Sequence, residues 1–136
     1  MPAAIMPRVR YCEMPVGEIV KPPPDMTRPH LTVAEGLSRL PGPNGERFVE
    51  LFRHGTLSVE LYAPRGTDPQ DPHTRDEAYA VVRGSGWFRS GSDRHRFGPG
   101  DVLFVPAGVV HRFEEFTDDM MVWVFFYGPE GGEAET

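Results

Sequence analysis

The chain has 136 residues, a formal charge of −6 and a single cysteine, Cys12. That length suits one domain with one real core. The charge, with no basic cluster to offset it, argues against nucleic acid or an anionic membrane as partners. One cysteine excludes an internal disulfide and fits a reducing cytoplasm, where Cys12 is read as a free thiol rather than a nucleophile. Glycine and proline number 15 each without a repeating period, which suggests tight turns between short strands. The longest apolar run, Met120 to Tyr127, is strand-sized and far below the ~20 residues of a membrane span. The N-terminus lacks the basic and apolar regions of a signal peptide. Nearly all basic residues are arginine, with Lys21 the only lysine, a bias typical of a GC-rich bacterial genome.

Residues 1–30 are punctuated by proline, and Pro22 to Pro24 favour an extended form. They are expected to form an arm that packs on the main domain or on a neighbouring subunit. Thr32-Val-Ala-Glu35 has the form of a capping box, so a short helix is expected from there to about Leu40, lying as a lid on one face. Pro41-Gly-Pro43-Asn-Gly45 stops it. From Arg47 the period becomes two. Phe48 to Phe52 and Leu57 to Tyr62 flank a hairpin at His54-Gly55. Pro64 to Pro72 reads as a loop, Ala78 to Val82 as a strand turning at Gly84-Ser-Gly86, and Trp87 to Arg89 as its return. Further strands are expected at Arg96-Phe97, Val102 to Val105, Val109 to Phe116 and Met120 to Tyr127. Residues 128–136 read as an acidic, flexible tail. The domain proper is therefore placed at 31–127, and about eight short strands with one helix predict an all-β sandwich or barrel.

Two stretches carry the candidate chemistry. In the first, His73 and Glu77 stand four residues apart where the loop enters an apolar strand. A buried carboxylate needs a partner, and the plain alternative is a salt bridge to a nearby arginine. In the second, Gly100-Asp-Val-Leu-Phe-Val-Pro106-Ala-Gly108-Val-Val-His111 joins a strand, a Pro-Ala-Gly turn and a second histidine. Strand alternation puts Tyr79 and Val81 on the face of Glu77, and Phe113 on that of His111. Tyr79 is thus a candidate catalytic hydrogen-bond donor, or a core residue with its hydroxyl at the barrel mouth. Asp101 reads as a turn cap, and Glu114-Glu115 with Asp118-Asp119 as a solvated acidic rim. His30, His54 and His95 read as solvated residues.

Together the two stretches resemble the paired motifs of the cupin superfamily. Gly66, His73, Glu77 and Gly84 follow the order of the first motif, and Gly100, Pro106, Gly108 and His111 match the second, with Glu115 where asparagine is expected. The resemblance implies a double-stranded β-helix, or jelly roll, and a metal held by His73, Glu77 and His111. The family's remaining histidine falls on Asp71, so the fourth ligand is open. Asp71 is one alternative, and Gln70 or water is favoured because a second buried carboxylate raises the cost of the metal-free site.

Two imidazoles and a carboxylate suit one divalent transition metal, whether Fe, Mn, Ni, Zn or Cu. The leading expectation is a small metal-dependent enzyme, oxygenase-like, acting on a small organic molecule in the barrel, and a homodimer buttressed by the N-terminal arm. The alternatives are an isomerase or epimerase acting on sugar-like ligands, and a non-catalytic metal- or ligand-binding module.

Overall fold

The computed structural model describes residues 30–134. The arm of residues 1–30, with Cys12 and the proline run, lies outside the described residues except for His30. Among those described, one helix, α1 (Val33–Ser38), precedes eight strands. These are β1 (Phe48–His54), β2 (Leu57–Tyr62), β3 (Asp76–Arg83), β4 (Gly86–Ser90), β5 (Asp93–Phe97), β6 (Val102–Val105), β7 (His111–Glu114) and β8 (Met121–Tyr127). They form two sheets, ordered β1-β2-β8-β3-β6 and β5-β4-β7, with every strand pair antiparallel. This is a jelly roll. No helix among the described residues is long and apolar enough to cross a membrane.

The larger sheet is covered on both faces, each by a different cluster. Cross-strand register puts Ser58, Phe126 and Glu77 on one row, then Glu60, Val124 and Tyr79, then Tyr62, Val122 and Val81. These rows face the smaller sheet, where Phe113 packs edge-on against Tyr79 and Phe97, with ring centroids 4.9 and 5.2 Å apart. On the opposite face Leu51, Leu61, Ala63 and Met121 are buried under Val33, Leu37 and Leu40 of the α1 segment. Thr32 caps α1 by accepting the Glu35 N–H at 3.1 Å, and the helix ends at Ser38, one turn's fraction short of the expected Leu40. Trp123, whose direction the sequence leaves open, belongs to this helix-side cluster.

The expected strand from Val109 to Phe116 is shorter at both ends. Val109 closes a turn by donating its N–H to the Pro106 carbonyl at 3.3 Å, and Glu115 has φ 49, which takes it out of the extended ladder. The acidic rim expected here is solvated at Glu115, Asp118 and Asp119, all exposed, while Glu114 is half-buried and paired. Glu114 accepts from Arg89 at 3.0 Å and Arg94 at 2.9 Å, and Arg94 reaches Glu115 at 3.2 Å. Asp101 caps its turn by accepting the Gly98 N–H at 2.8 Å. In the segment read as a flexible tail, Gly128 donates to Thr56, Gly131 to Thr74 and Glu133 to Asp76.

The motif glycines Gly66, Gly84, Gly100 and Gly108 all have positive φ. Gly84 is also a point of close approach, since a Cβ there would lie 2.5 Å from the Cα of Met120. The loop after β2 is fixed by a buried carboxylate. Asp68 accepts from the Tyr62 hydroxyl through one oxygen. Its other oxygen accepts from Phe113 N–H at 2.8 Å and from the Gln70 amide at 2.7 Å. One side chain thereby ties β2, β7 and the loop together.

Replacing Asp68 strands these donors in a dry interior, at about 1–3 kcal/mol for each buried group left unpaired. We therefore expect Asp68→Ala to lose about 3 kcal/mol in denaturant unfolding, with Asp68→Asn losing less because it keeps one acceptor. Unchanged stability of the alanine variant would show that Asp68 does not anchor the loop.

Candidate metal centre

Three elements deliver the candidate ligands. Glu77 is the second residue of β3, His111 opens β7, and His73 sits in the loop three residues ahead of β3. The Pro106-Ala107-Gly108 turn joins them. Gly108 N–H donates to the His73 carbonyl at 2.6 Å, and Ala107 N–H donates to Asp76 Oδ1 at 2.9 Å. The turn of the second motif therefore holds the backbone of the first.

The side chains converge. His111 Nε2 lies 3.0 Å and His73 Nε2 3.5 Å from Glu77 Oε1, and candidate ligand atoms of all three residues fall within 4.8 Å of one another. Among the described residues no arginine pairs with Glu77, whose ion-pair partners are His111 and His73. Glu77 Oε1 and His111 Nε2 are both buried and, apart from facing each other at 3.0 Å, have no hydrogen-bond partner among the described residues. With the imidazole neutral, its Nε2 and the carboxylate oxygen are two acceptors face to face in a packed interior, which is costly, and a cation between them satisfies both. The donor set of two nitrogens and one oxygen suits a divalent transition ion.

A backbone carbonyl and an aromatic ring set the directions of the two imidazoles. Val109 O accepts from His111 Nδ1 at 2.9 Å, which leaves Nε2 to face the centre. The His73 ring packs edge-on against Phe126 with centroids 4.8 Å apart. Burial opposes the His111 imidazolium, but the Glu77 carboxylate and the Val109 carbonyl outweigh it and raise the His111 pKa. For His73 burial wins and the pKa falls.

Gln70 Oε1 stands 3.4 Å from His73 Nε2 and accepts from the Tyr79 hydroxyl at 3.1 Å, while its amide group is held by Asp68. Asp71 is exposed and lies outside the converging group. Pro72 accounts for the divergence, since its fixed φ breaks the simple alternation between residues 71 and 73. Tyr79 is fully buried and does not line the cavity beside the centre. Burial, followed by the charge of Glu77, raises its pKa well above the usual phenol value. Its hydroxyl, expected to be a hydrogen-bond donor at the site, donates to Gln70. His54 and His95 are exposed and stand apart from the centre.

The centre forms one wall of a cavity of about 560 Å³, in the size range of small-molecule sites. Its lining includes two residues not singled out from the sequence, Glu60 and Arg47. Burial, then the charges of Glu50 and Glu77, pushes the Glu60 pKa up to about 7. Glu50 stands directly across the ladder from Glu60 and is held by Arg53 at 2.8 Å and Ser58 at 3.0 Å. The signal was faint. Ser58, Glu60 and Tyr62 alternate with Val59 and Leu61, and the apolar set would ordinarily be read as the core face.

Residues 58–127 match the family model of the cupin domain. An uncharacterized protein of Streptomyces coelicolor, SCO3923, is 38% identical over 89 residues, which cover 64% of this chain and 85% of that protein. A mannose-6-phosphate isomerase-like protein from Ralstonia eutropha superposes with a TM-score of 0.53 at 26% identity, over 60% of this chain and 83% of its own. A cupin 2 conserved barrel domain protein from Salinispora arenicola gives 0.51 at 20% identity, over 62% and 77% of the two chains. With the jelly roll and both motif stretches in place, the chain belongs to the cupin superfamily.

Proposed function

We propose that this cupin is a metal-dependent, oxygenase-like enzyme acting on a small organic molecule inside the barrel. The observation that carries the reading is the convergence of His73, Glu77 and His111, with His73 and Glu77 lining the cavity and His111 buried behind them. A divalent transition ion held there supplies Lewis acidity and redox chemistry at its open positions. The chain's own residues present the ligand atoms, through Val109 for His111 and through Asp68 and Tyr79 for Gln70. Phe126 and Val124 keep the adjoining wall apolar. A second reading, isomerisation of a sugar-like ligand, is favoured by the likeness to the Ralstonia eutropha protein. It is also favoured by Glu60, a carboxyl group balanced for proton transfer near neutral pH.

The metal reading predicts one divalent transition ion per chain in the wild type and its loss in His73→Ala/His111→Ala, measured by elemental analysis. Equal metal in both proteins would sink it. For the fourth position, Gln70 is favoured because its carbonyl oxygen lies 3.4 Å from His73 Nε2 while Asp71 is exposed. Gln70→Ala should then weaken metal affinity by more than the ~10–100-fold typical of outer-shell partners, with Asp71→Asn close to wild type. The reverse order would make Asp71 the ligand.

Glu60 gives a pH dependence with a definite sign. Its folded pKa of about 7 lies above the ordinary 4.5, so the folded metal-free protein keeps a proton that the unfolded chain releases. Stability is therefore undiminished below that ordinary value and falls as pH rises through the window up to the folded one. Glu60→Gln should be more stable than wild type by about 3 kcal/mol near pH 8, with the difference vanishing near pH 4. Parallel denaturation curves at the two pH values check this, and an equal offset at both would remove the assignment.

The homodimer reading finds support on β6, the edge of the larger sheet, where Val102 is 72% and Phe104 52% exposed. Bare apolar edge strands invite pairing. Light scattering should give a dimer for the wild type and a monomer for Phe104→Glu. A monomeric wild type would end this reading.

A further inference from the structure

The cavity is polarised along its length. Glu77, His73 and Gln70 lie at one end, and Arg47 and Arg65 line it as well. Ser58 is level with Phe126 and Glu77 across the sheet, whereas Arg47 pairs with Ala63 beyond the other end of β2. Those positions on β2 are separated by about 16 Å of strand. Arg47 is anchored in two ways. Its Nε donates to the Ala63 carbonyl at 2.8 Å, and its own carbonyl accepts the Ala63 N–H at 2.9 Å. This directs the guanidinium while leaving its terminal nitrogens available. Arg65, two residues past Ala63, is exposed at the rim.

Neither arginine has a carboxylate partner among the described residues, although the chain carries 20 acidic residues against 14 basic ones. The one acidic group on the same rim, Glu46, is occupied by Asn44, whose backbone N–H donates at 2.9 Å and side-chain amide at 3.3 Å. Glu60 lies deeper in, across the ladder from Glu50 and away from Arg47, which pairs with Ala63 beyond the end of β2. Burial, then the charge of Arg65, lowers the Arg47 pKa, so the two cations are close enough to repel. Between the two ends the lining is apolar apart from Glu60, with Phe48, Tyr62, Pro64 and Val124.

We infer that Arg47 and Arg65 form an anion subsite, and that the cavity takes an organic anion whose charged group lies at the arginines and whose apolar body extends toward the His73–Glu77–His111 centre. Paired guanidinium groups match the planar oxygens of a carboxylate or the oxygens of a phosphate, and two cations without a partner become neutralised when one binds. The inference rests on the small-molecule reading of the cavity, and its arginine end does not depend on a bound metal.

Calorimetric titration of the full chain with phenylbutyrate, phenyl phosphate and neutral phenylbutyramide tests it. At least one anion should bind about tenfold or more tighter than the amide, and the better of the two tells carboxylate from phosphate. Arg65→Gln, at an exposed position, should weaken that anion about tenfold and leave the amide unchanged, with Arg65→Lys in between. The preference should survive in His73→Ala/His111→Ala, which separates this subsite from the metal reading. Equal affinity for anions and amide would overturn the inference. So would anion binding indifferent to Arg65, a preference lost with the two histidines, or no anion binding at millimolar concentration.

Discussion

The site depends on one buried carboxylate that is not itself a candidate ligand. Asp68 accepts from Tyr62 on β2, from the Phe113 backbone on β7 and from the Gln70 amide in the intervening loop. These partners come from both sheets, so the same group that closes the jelly roll also fixes the direction of Gln70 Oε1. A loop of turn-forming residues has no ladder to hold it, and a side chain that gathers several donors in a low-dielectric interior does that work instead. Tyr79 completes the arrangement by donating to Gln70 from the other side.

A second constraint couples the two motif stretches. The Pro106-Ala107-Gly108 turn gives one N–H to the His73 carbonyl and another to Asp76. Asp76 in turn accepts from Glu133 at 2.8 Å, and its pKa is held low by those two backbone donors. The segment ahead of β3 is thus clamped between the turn before β7 and the chain after β8. His73 has no strand partners of its own, yet it reaches the histidine at the start of β7, with ring centroids 5.0 Å apart.

Burial on both faces of the larger sheet explains why the cavity's polar residues were hard to find. One face packs on the smaller sheet and the other lies under α1. In β2 the purely apolar face, Val59 and Leu61, is the one turned away from the cavity, while Ser58, Glu60 and Tyr62 turn toward it. Reading the greasier face as the core is sound for a sheet with one wet side. It fails where a helix dries the other side and the interior must also hold chemistry.

The sequence by itself determined the strand-rich class, five of the eight strands closely, the α1 cap at Thr32, and the pairing of His73 and Glu77 with His111 as a candidate set. Those features are written locally, in period-two alternation, in glycines at turns, and in motif spacing tied to strand geometry. Only the tertiary structure decided that Gln70 lies beside His73 while Asp71 is exposed, and that Tyr79 donates to Gln70 instead of lining the cavity. It also brought Asp68, Glu60 and the Arg47–Arg65 pair around one cavity. Each of these turns on which way a loop residue points or which face of a doubly buried sheet looks inward. Contacts between residues distant in the chain fix those directions, and no local pattern encodes them.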